Sequence, residues 1–343
     1  MHDAERRMRA RLTGAMYVAA ATIIVALLAA SGRPAEAGSA ADPGPYAASI
    51  TAWSNAAGVD PQEVGALAVP LDGQAPLIGY RAQVPFNPAS TVKILTTWAA
   101  LSALGPEFRW QTSFYLRGPL EDGVLRGDLV VRGGGDPKLV IEHLQEIIAG
   151  LRAAGLERIA GDLILDDSIF EAPEGGAADF DGQPWQPYNV LPSGLLFNFK
   201  SVRLLARPVG ERVAFAFDPP LDGVAIDNLV RVVSGPCRYG IGALHVRDMH
   251  DGPALRVSGA YSRSCGSQSQ FVSVLDHRAF AGALFGAAWK AAGGRWNGSV
   301  RIGRGAAQGV PWFVWTSPHT LADGVHDINK RSNNVMTRQL LLQ

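Results

Sequence analysis

This sequence predicts an α/β fold interrupted by a long β-rich insertion, and three observations carry that reading. Two short strand-like segments lead into an apolar stretch of helical periodicity that begins at Ser90. From residue 108 to about 274 the chain breaks into short alternating segments separated by turns rich in Gly and Asp. After residue 275 helical periodicity returns, over 277–292, 320–328 and 335–342. A hydrophobic share of 47% with 39 Gly and 22 Pro fits a loop-rich globular protein with ample core and excludes a disordered one. Thirty-one basic and 31 acidic residues cancel, so nothing favours nucleic acid or electrostatic attachment to a membrane.

In chain order, residues 1–37 read as an export signal. Arg6, Arg7, Arg9 and Arg11 precede an apolar run over 15–30, and Ala35-Glu36-Ala37 is a small-x-small cleavage site. The run is shorter than the ~20 residues of a spanning helix. The mature chain is therefore expected outside the cytoplasm, in the periplasm. Residues 46–57 read as a helix, and 63–69 and 76–81 as strands joined by a turn at Leu71-Asp72-Gly73. The next helix, 88–101, follows the turn-forming Val84-Pro85-Phe86-Asn87 and reads as buried, because Ile94, Leu95, Trp98 and Leu101 recur along it. Strands are expected over 110–116, 124–131, 159–165, 202–208, 213–217 and 255–261, with one helix over 138–154. A strand at 299–302 and an apolar run at 310–315 precede the last two helices. In an oxidising compartment Cys237 and Cys265 are expected to pair and close a loop of about 28 residues. No Cys-x-x-Cys supports a redox or metal pair instead.

Two short patterns carry chemistry. Ser90-x-x-Lys93 places an amine one helical turn from a hydroxyl. A serine is a weak nucleophile unless a base takes its proton, and a lysine with a lowered pKa is one such base. The chain has only Lys93, Lys138, Lys200, Lys290 and Lys330, so a lysine inside an apolar helix stands out. A capped helix with a snorkelling lysine is the plainer reading of the same residues. Ser332-x-Asn334 lies in a polar break between the last two helices and can present a hydroxyl and a carboxamide together, although Ser-Asn-Asn is also ordinary cap chemistry.

Together these patterns resemble the first two active-site motifs of the penicillin-recognising serine peptidases. The phrases Asn87-Pro88-Ala89-Ser90-Thr91-Val92-Lys93, Gly133-Gly134-Gly135-Asp136-Pro137 and Ile328-Asn329-Lys330-Arg331-Ser332-Asn333-Asn334 more narrowly resemble the low-molecular-mass class C penicillin-binding proteins, D-alanyl-D-alanine carboxypeptidases and endopeptidases. The resemblance implies a transpeptidase/β-lactamase-like α/β domain split by β-rich inserted domains. Its parts would be 38–107, with the Ser-x-x-Lys motif, and 275–343, with Ser-x-Asn, around an insertion at 108–274. It implies Ser90 as nucleophile, Lys93 as base, Ser332 as proton relay to the leaving amine and Asn334 as a ligand of the substrate amide. It further implies that Asp166 reaches towards the amine of the substrate's diamino acid, the alternative being a solvated acidic loop. Peptidoglycan stem peptides are the implied substrate and β-lactams the implied inhibitors. No metal or organic cofactor is implied, and peripheral membrane contact is left open.

The family's third motif, Lys-Thr-Gly or similar, is absent from these residues: none of the lysines is followed by Ser/Thr-Gly. The catalytic part is thus expected to be incomplete at its C-terminal side, and the chain as it stands to be inactive. A β-lactamase and a non-catalytic peptidoglycan-binding remnant are the other readings. The long insertion and the Ile328-Asn329-Lys330 lead-in favour the peptidase.

Of the remaining signals, Gly133-Gly134-Gly135-Asp136 lacks the Gly-Lys-Ser/Thr ending of a phosphate loop and reads as a tight turn. His245 and His250 are spaced so that neither a helix nor a strand aims both at one metal, and no third ligand is placed to help. His326 reads as an exposed helix residue.

Overall fold

The computed structural model describes residues 46–343, apart from 172–174 and 250–253. The export signal expected over 1–37, and His250, lie outside the described residues. The chain divides into a unit ending at Pro88 and a unit from Ala89 to Gln343.

In the first unit, helix α1 (Ala47–Ala56) is followed by a short turn capped by Asp60, whose carboxylate accepts the Gln62 N–H at 2.8 Å. Strands Ala66–Ala68 and Ile78–Tyr80 pair antiparallel, shorter than the sequence suggests. The turn between them contains Asp72, which accepts the Gln74 N–H, and Gly73 at φ +80°. The Tyr80 hydroxyl donates to the Pro61 carbonyl at 3.3 Å.

The second unit is organised around a five-stranded sheet in the order Val300–Ile302, Leu163–Asp166, Asp128–Arg132, Gln111–Arg117, Phe313–Thr316. The first three strands run parallel and the last two pair antiparallel. Leu129, Val130 and Val131 are all buried, as are Leu163, Ile164 and Leu165. A strand covered on both faces reads as a continuous apolar run, which is what these two show. Helix α3 (Ile141–Ala153) contributes Leu144, Ile147, Ile148 and Leu151, spaced to form one apolar stripe. Helix α4 (His277–Ala291) contributes Phe280, Leu284, Phe285 and Trp289 to the same core.

This sheet spans the boundary expected between residues 274 and 275. Strands Val300–Ile302 and Phe313–Thr316 come from beyond it, yet they pair with Leu163–Asp166 and Gln111–Arg117. Alternation shows that a segment is a strand but says nothing of its partner.

The β-rich remainder forms small sheets. Val202–Val209 is flanked antiparallel by Arg212–Asp218 and Gln268–Val272. Ala254–Ser262 is flanked by His245–Met249, antiparallel, and Ala225–Val233, parallel. Val233 and Ser262 are partners at the ends of the parallel pair, and the Cys237–Cys265 disulfide joins the chain just beyond both ends. The Tyr261 ring is fully buried there, with its hydroxyl donating to the Gly266 carbonyl.

A separate apolar cluster joins helix α2 (Val92–Leu104) to α5 (Leu321–Arg331) and α6 (Asn334–Leu342). It includes Ala100, Trp110, Leu321, Ile328, Met336 and Leu340. α2 is not the buried helix the sequence suggests. Lys93, Thr97 and Ala100 face inward, while Ile94 is 63% and Trp98 50% exposed. An apolar run marks a helix, but a single stripe is enough to dock it.

The disulfide closes a loop across a sequence separation of 28 residues. Its loss in Cys237→Ser should lower stability by about 3 kcal/mol. Thermal melting without reductant should show a lower midpoint, and a midpoint equal to that of the native chain would contradict this.

Candidate active site

Ser90 lies in the 3-10 turn Ala89–Thr91, directly before the first turn of α2. Its hydroxyl is exposed, and the Lys93 amine donates to it at 3.0 Å. The hydroxyl faces outward while the amine lies at the root of the inner face of α2, where Lys93 is only 6% exposed. Burial lowers the Lys93 pKa from its ordinary value, and the Arg338 guanidinium lowers it further. Desolvation penalises the ammonium and favours the free amine, the form that can take a proton from Ser90.

Two further helices hold this face. α5 starts in a capping box in which Thr320 and Asp323 satisfy each other's backbone N–H groups. One turn before its end, Asn329 donates to the buried Thr97 hydroxyl at 3.2 Å and ties α5 to α2. Ser332 ends α5 in the left-handed conformation, φ 53° and ψ 40°. The next residue, Asn333, caps α6 by accepting the Met336 N–H at 3.0 Å. Ser332 and Asn334 therefore stand on either side of a sharp corner, with Ser332 exposed and Asn334 half-buried. α2 packs against both helices of that corner, which brings the Ser90-Lys93 and Ser332-Asn334 motifs to one helical cluster.

Sequence reasoning passed over Arg338. It stands one helical turn after Asn334, and its guanidinium donates to the carbonyls of Tyr188 and Val190 at 3.3 and 3.4 Å. The available signal was a lone charge in the run Val335-Met336-Thr337-Arg338-Gln339-Leu340, at the spacing that shares a face with Asn334.

Asp166 is held by main chain. It ends a central strand at 1% exposure, and its oxygens accept the backbone N–H groups of Ser168, Gly305 and Ala307 at 3.1, 3.0 and 2.9 Å. Burial pushes its pKa up, but the hydrogen bonds from Ser168, Ala307 and Gly305 outweigh burial and hold the carboxyl below its usual value. A buried carboxylate that accepts from three amides anchors a turn. The sequence could not reveal that residues 305 and 307 close over it.

Gly133-Gly134-Gly135 forms a close main-chain junction. A Cβ at Gly133 would run into the Gly194 carbonyl, and one at Gly134 into that of Gln111. His326 is exposed, 3.7 Å from Asp327, and His245 lies on its strand. Among the described residues no group of three or more His, Cys, Asp or Glu is placed to hold a metal ion. None of their helices is long and apolar enough to cross a membrane.

The family model for the D-Ala-D-Ala carboxypeptidase 3 (S13) family matches residues 48–343. The chain belongs to that family. Among curated members it is 34% identical over 113 residues to the D-alanyl-D-alanine carboxypeptidase DacB of Haemophilus influenzae, covering 33% of this chain and 24% of that protein. It is 36% identical over 86 residues to a D-alanyl-D-alanine carboxypeptidase of an Actinomadura species, covering 25% of this chain and 16% of the other. The fold matches the crystal structure of penicillin binding protein 4 from Haemophilus influenzae with a TM-score of 0.69 at 24% identity, over 86% of this chain and 64% of that one. The same protein complexed with a β-lactam matches at 0.63 and 23% identity, over 86% and 62%. The α/β fold is thus that of the penicillin-recognising serine enzymes. The chain spans about a quarter or less of the curated members' length and under two thirds of the solved ones.

Arg338→Gln keeps a donor for the two carbonyls and removes the charge. The Lys93 pKa should then rise, so the acid-side midpoint of Ser90 acylation should move to higher pH. An unmoved midpoint in a pH–rate profile would contradict this role for Arg338.

Proposed function

We propose that this chain carries the nucleophile of a serine D,D-carboxypeptidase/endopeptidase acting on peptidoglycan stem peptides. The observation that carries the reading is the exposed Ser90 hydroxyl held 3.0 Å from the buried Lys93 amine. Ser90 attacks the carbonyl between two D-alanine residues, or at a D-amino-acid cross-link, as Lys93 takes its proton. N–H groups at the start of α2 favour the negative charge that develops on the carbonyl oxygen. Asn334 hydrogen-bonds the substrate's amide and Ser332 passes a proton to the leaving amine. Water then hydrolyses the acyl-enzyme, and the chemistry calls on no metal or organic cofactor. β-Lactams enter by the same attack and stall at the acyl-enzyme. α2 and the α5–α6 corner form the catalytic part, and the sheet-bearing body between them is the insertion.

The chain is exported to the periplasm, with residues 1–37 as its signal. The Cys237–Cys265 disulfide supports an oxidising compartment.

Intact mass after hours with millimolar benzylpenicillin tests the reading. One adduct per chain should form on the native protein and none on Ser90→Ala. A folded native chain that gains no mass, or an adduct that survives in Ser90→Ala, would overturn it. Catalytic turnover of the penicillin would favour a β-lactamase instead.

A further inference from the structure

The Gly133–Lys138 segment has no part in the chemistry described above, yet it touches both helices that present Ser332 and Asn334. Lys138 donates to Asp327 on α5 at 2.7 Å, and both side chains are largely buried, unlike the partners in most of the protein's other ion pairs. The Lys138 bond, before all other causes, holds the Asp327 carboxyl below its usual value. Asp327 also lies 3.7 Å from His326 and 3.9 Å from Arg331, both exposed and weaker partners. On α6, Gln339 is 0% exposed, and its side chain reaches the Gly133–Lys138 platform. Its amide nitrogen donates to the Gly135 carbonyl at 3.3 Å and to the Ser193 carbonyl at 2.8 Å, while its oxygen accepts the Ser193 N–H at 2.8 Å.

The segment is itself immobilised. The Gly133 N–H donates to the Asp166 carbonyl at 3.1 Å and the Gly135 N–H to the Gly194 carbonyl at 2.8 Å. The Lys138 N–H donates to the Asp136 carboxylate at 2.8 Å. Gly135 has φ +78°, and the space around the three glycines is closed by main chain and by the Gln343 and Phe170 side chains. The end of the central strand Asp128–Arg132 thus continues into a rigid platform. Ser332, an exposed cap residue in left-handed conformation, takes its position from the helices on either side.

We propose that Lys138 is a positioning residue for Ser332, and that the Gly133–Lys138 platform clamps both helices of the Ser-x-Asn corner against the central sheet. This rests on the role given to Ser332 under the proposed function. Removing Lys138 leaves Asp327 partly buried without its main counter-charge, a change that frees or shifts α5. A shift of about 1 Å in a group that transfers a proton can cost on the order of 10²-fold in rate.

The test compares Lys138→Met, Lys138→Arg and the charge swap Lys138→Asp with Asp327→Lys, all in the full chain. Hydrogen–deuterium exchange should show amides 321–336 exchanging faster in Lys138→Met, with those of α3 and the central strands unchanged. A general loss of stability would speed all of them. Ser90 acylation by benzylpenicillin should fall about 10- to 100-fold in Lys138→Met. Lys138→Arg and the charge swap should recover most of the rate. Unchanged exchange over 321–336, or loosened helices with an unchanged acylation rate, would overturn the proposal. If the native chain forms no Ser90 adduct, the functional reading fails separately, and the exchange comparison still decides whether the clamp exists.

Discussion

Holding a largely buried amine one helical turn from an exposed serine is the constraint on which this arrangement depends. A protonated lysine at the Lys93 position would give up hydration with little in return, and the nearby Arg338 charge adds to the penalty. The free amine is the form that fits. α2 alone cannot create that environment, since its outer face leaves Ile94 and Trp98 exposed. Desolvation comes from the inner face, where α5 and α6 pack against Lys93, Thr97 and Ala100.

The same two helices deliver the second motif, so packing and chemistry are one problem. The corner that carries Ser332 and Asn334 packs on the helix that carries Lys93, and under the proposed function it presents both groups to the nucleophile. Its rigidity comes from outside the helices, through Asn329 on Thr97, Lys138 on Asp327 and Gln339 on Gly135 and Ser193. The five-stranded sheet supplies the fixed ground for the last two of these. That gives the large body between the motifs a mechanical purpose, independent of any contact it makes with substrate.

What the sequence disclosed follows from the range of each interaction. Ser90 and Lys93 are three residues apart on a helix, so their meeting is written locally. The corner at Ser332 was legible because cap residues and a polar break interrupt two periodic runs. The α/β class was legible from the periods of the segments. Strand partners were not: the pairing of Phe313–Thr316 with Gln111–Arg117 spans most of the chain and crosses the boundary drawn after residue 274. Asp166 was read by its place at a strand end, and only the fold shows amides of residues 305 and 307 closing on its carboxylate. The Lys138–Asp327 pair was invisible for the same reason. The apolar run of α2 was read as buried all round because sequence period cannot show which stripe lacks a neighbour.

The claim at the centre is that burial and the Arg338 charge hold the Lys93 amine below the ordinary lysine range. Nitrogen-15 labelling of the lysines and NMR titration of each side-chain nitrogen would test it directly, with Lys93→Arg identifying the resonance. The account predicts a Lys93 midpoint well below the ordinary ~10.4 of a free lysine. A midpoint in the ordinary range would mean that Lys93 is an ammonium beside Ser90, unable to take its proton, and the account would fail.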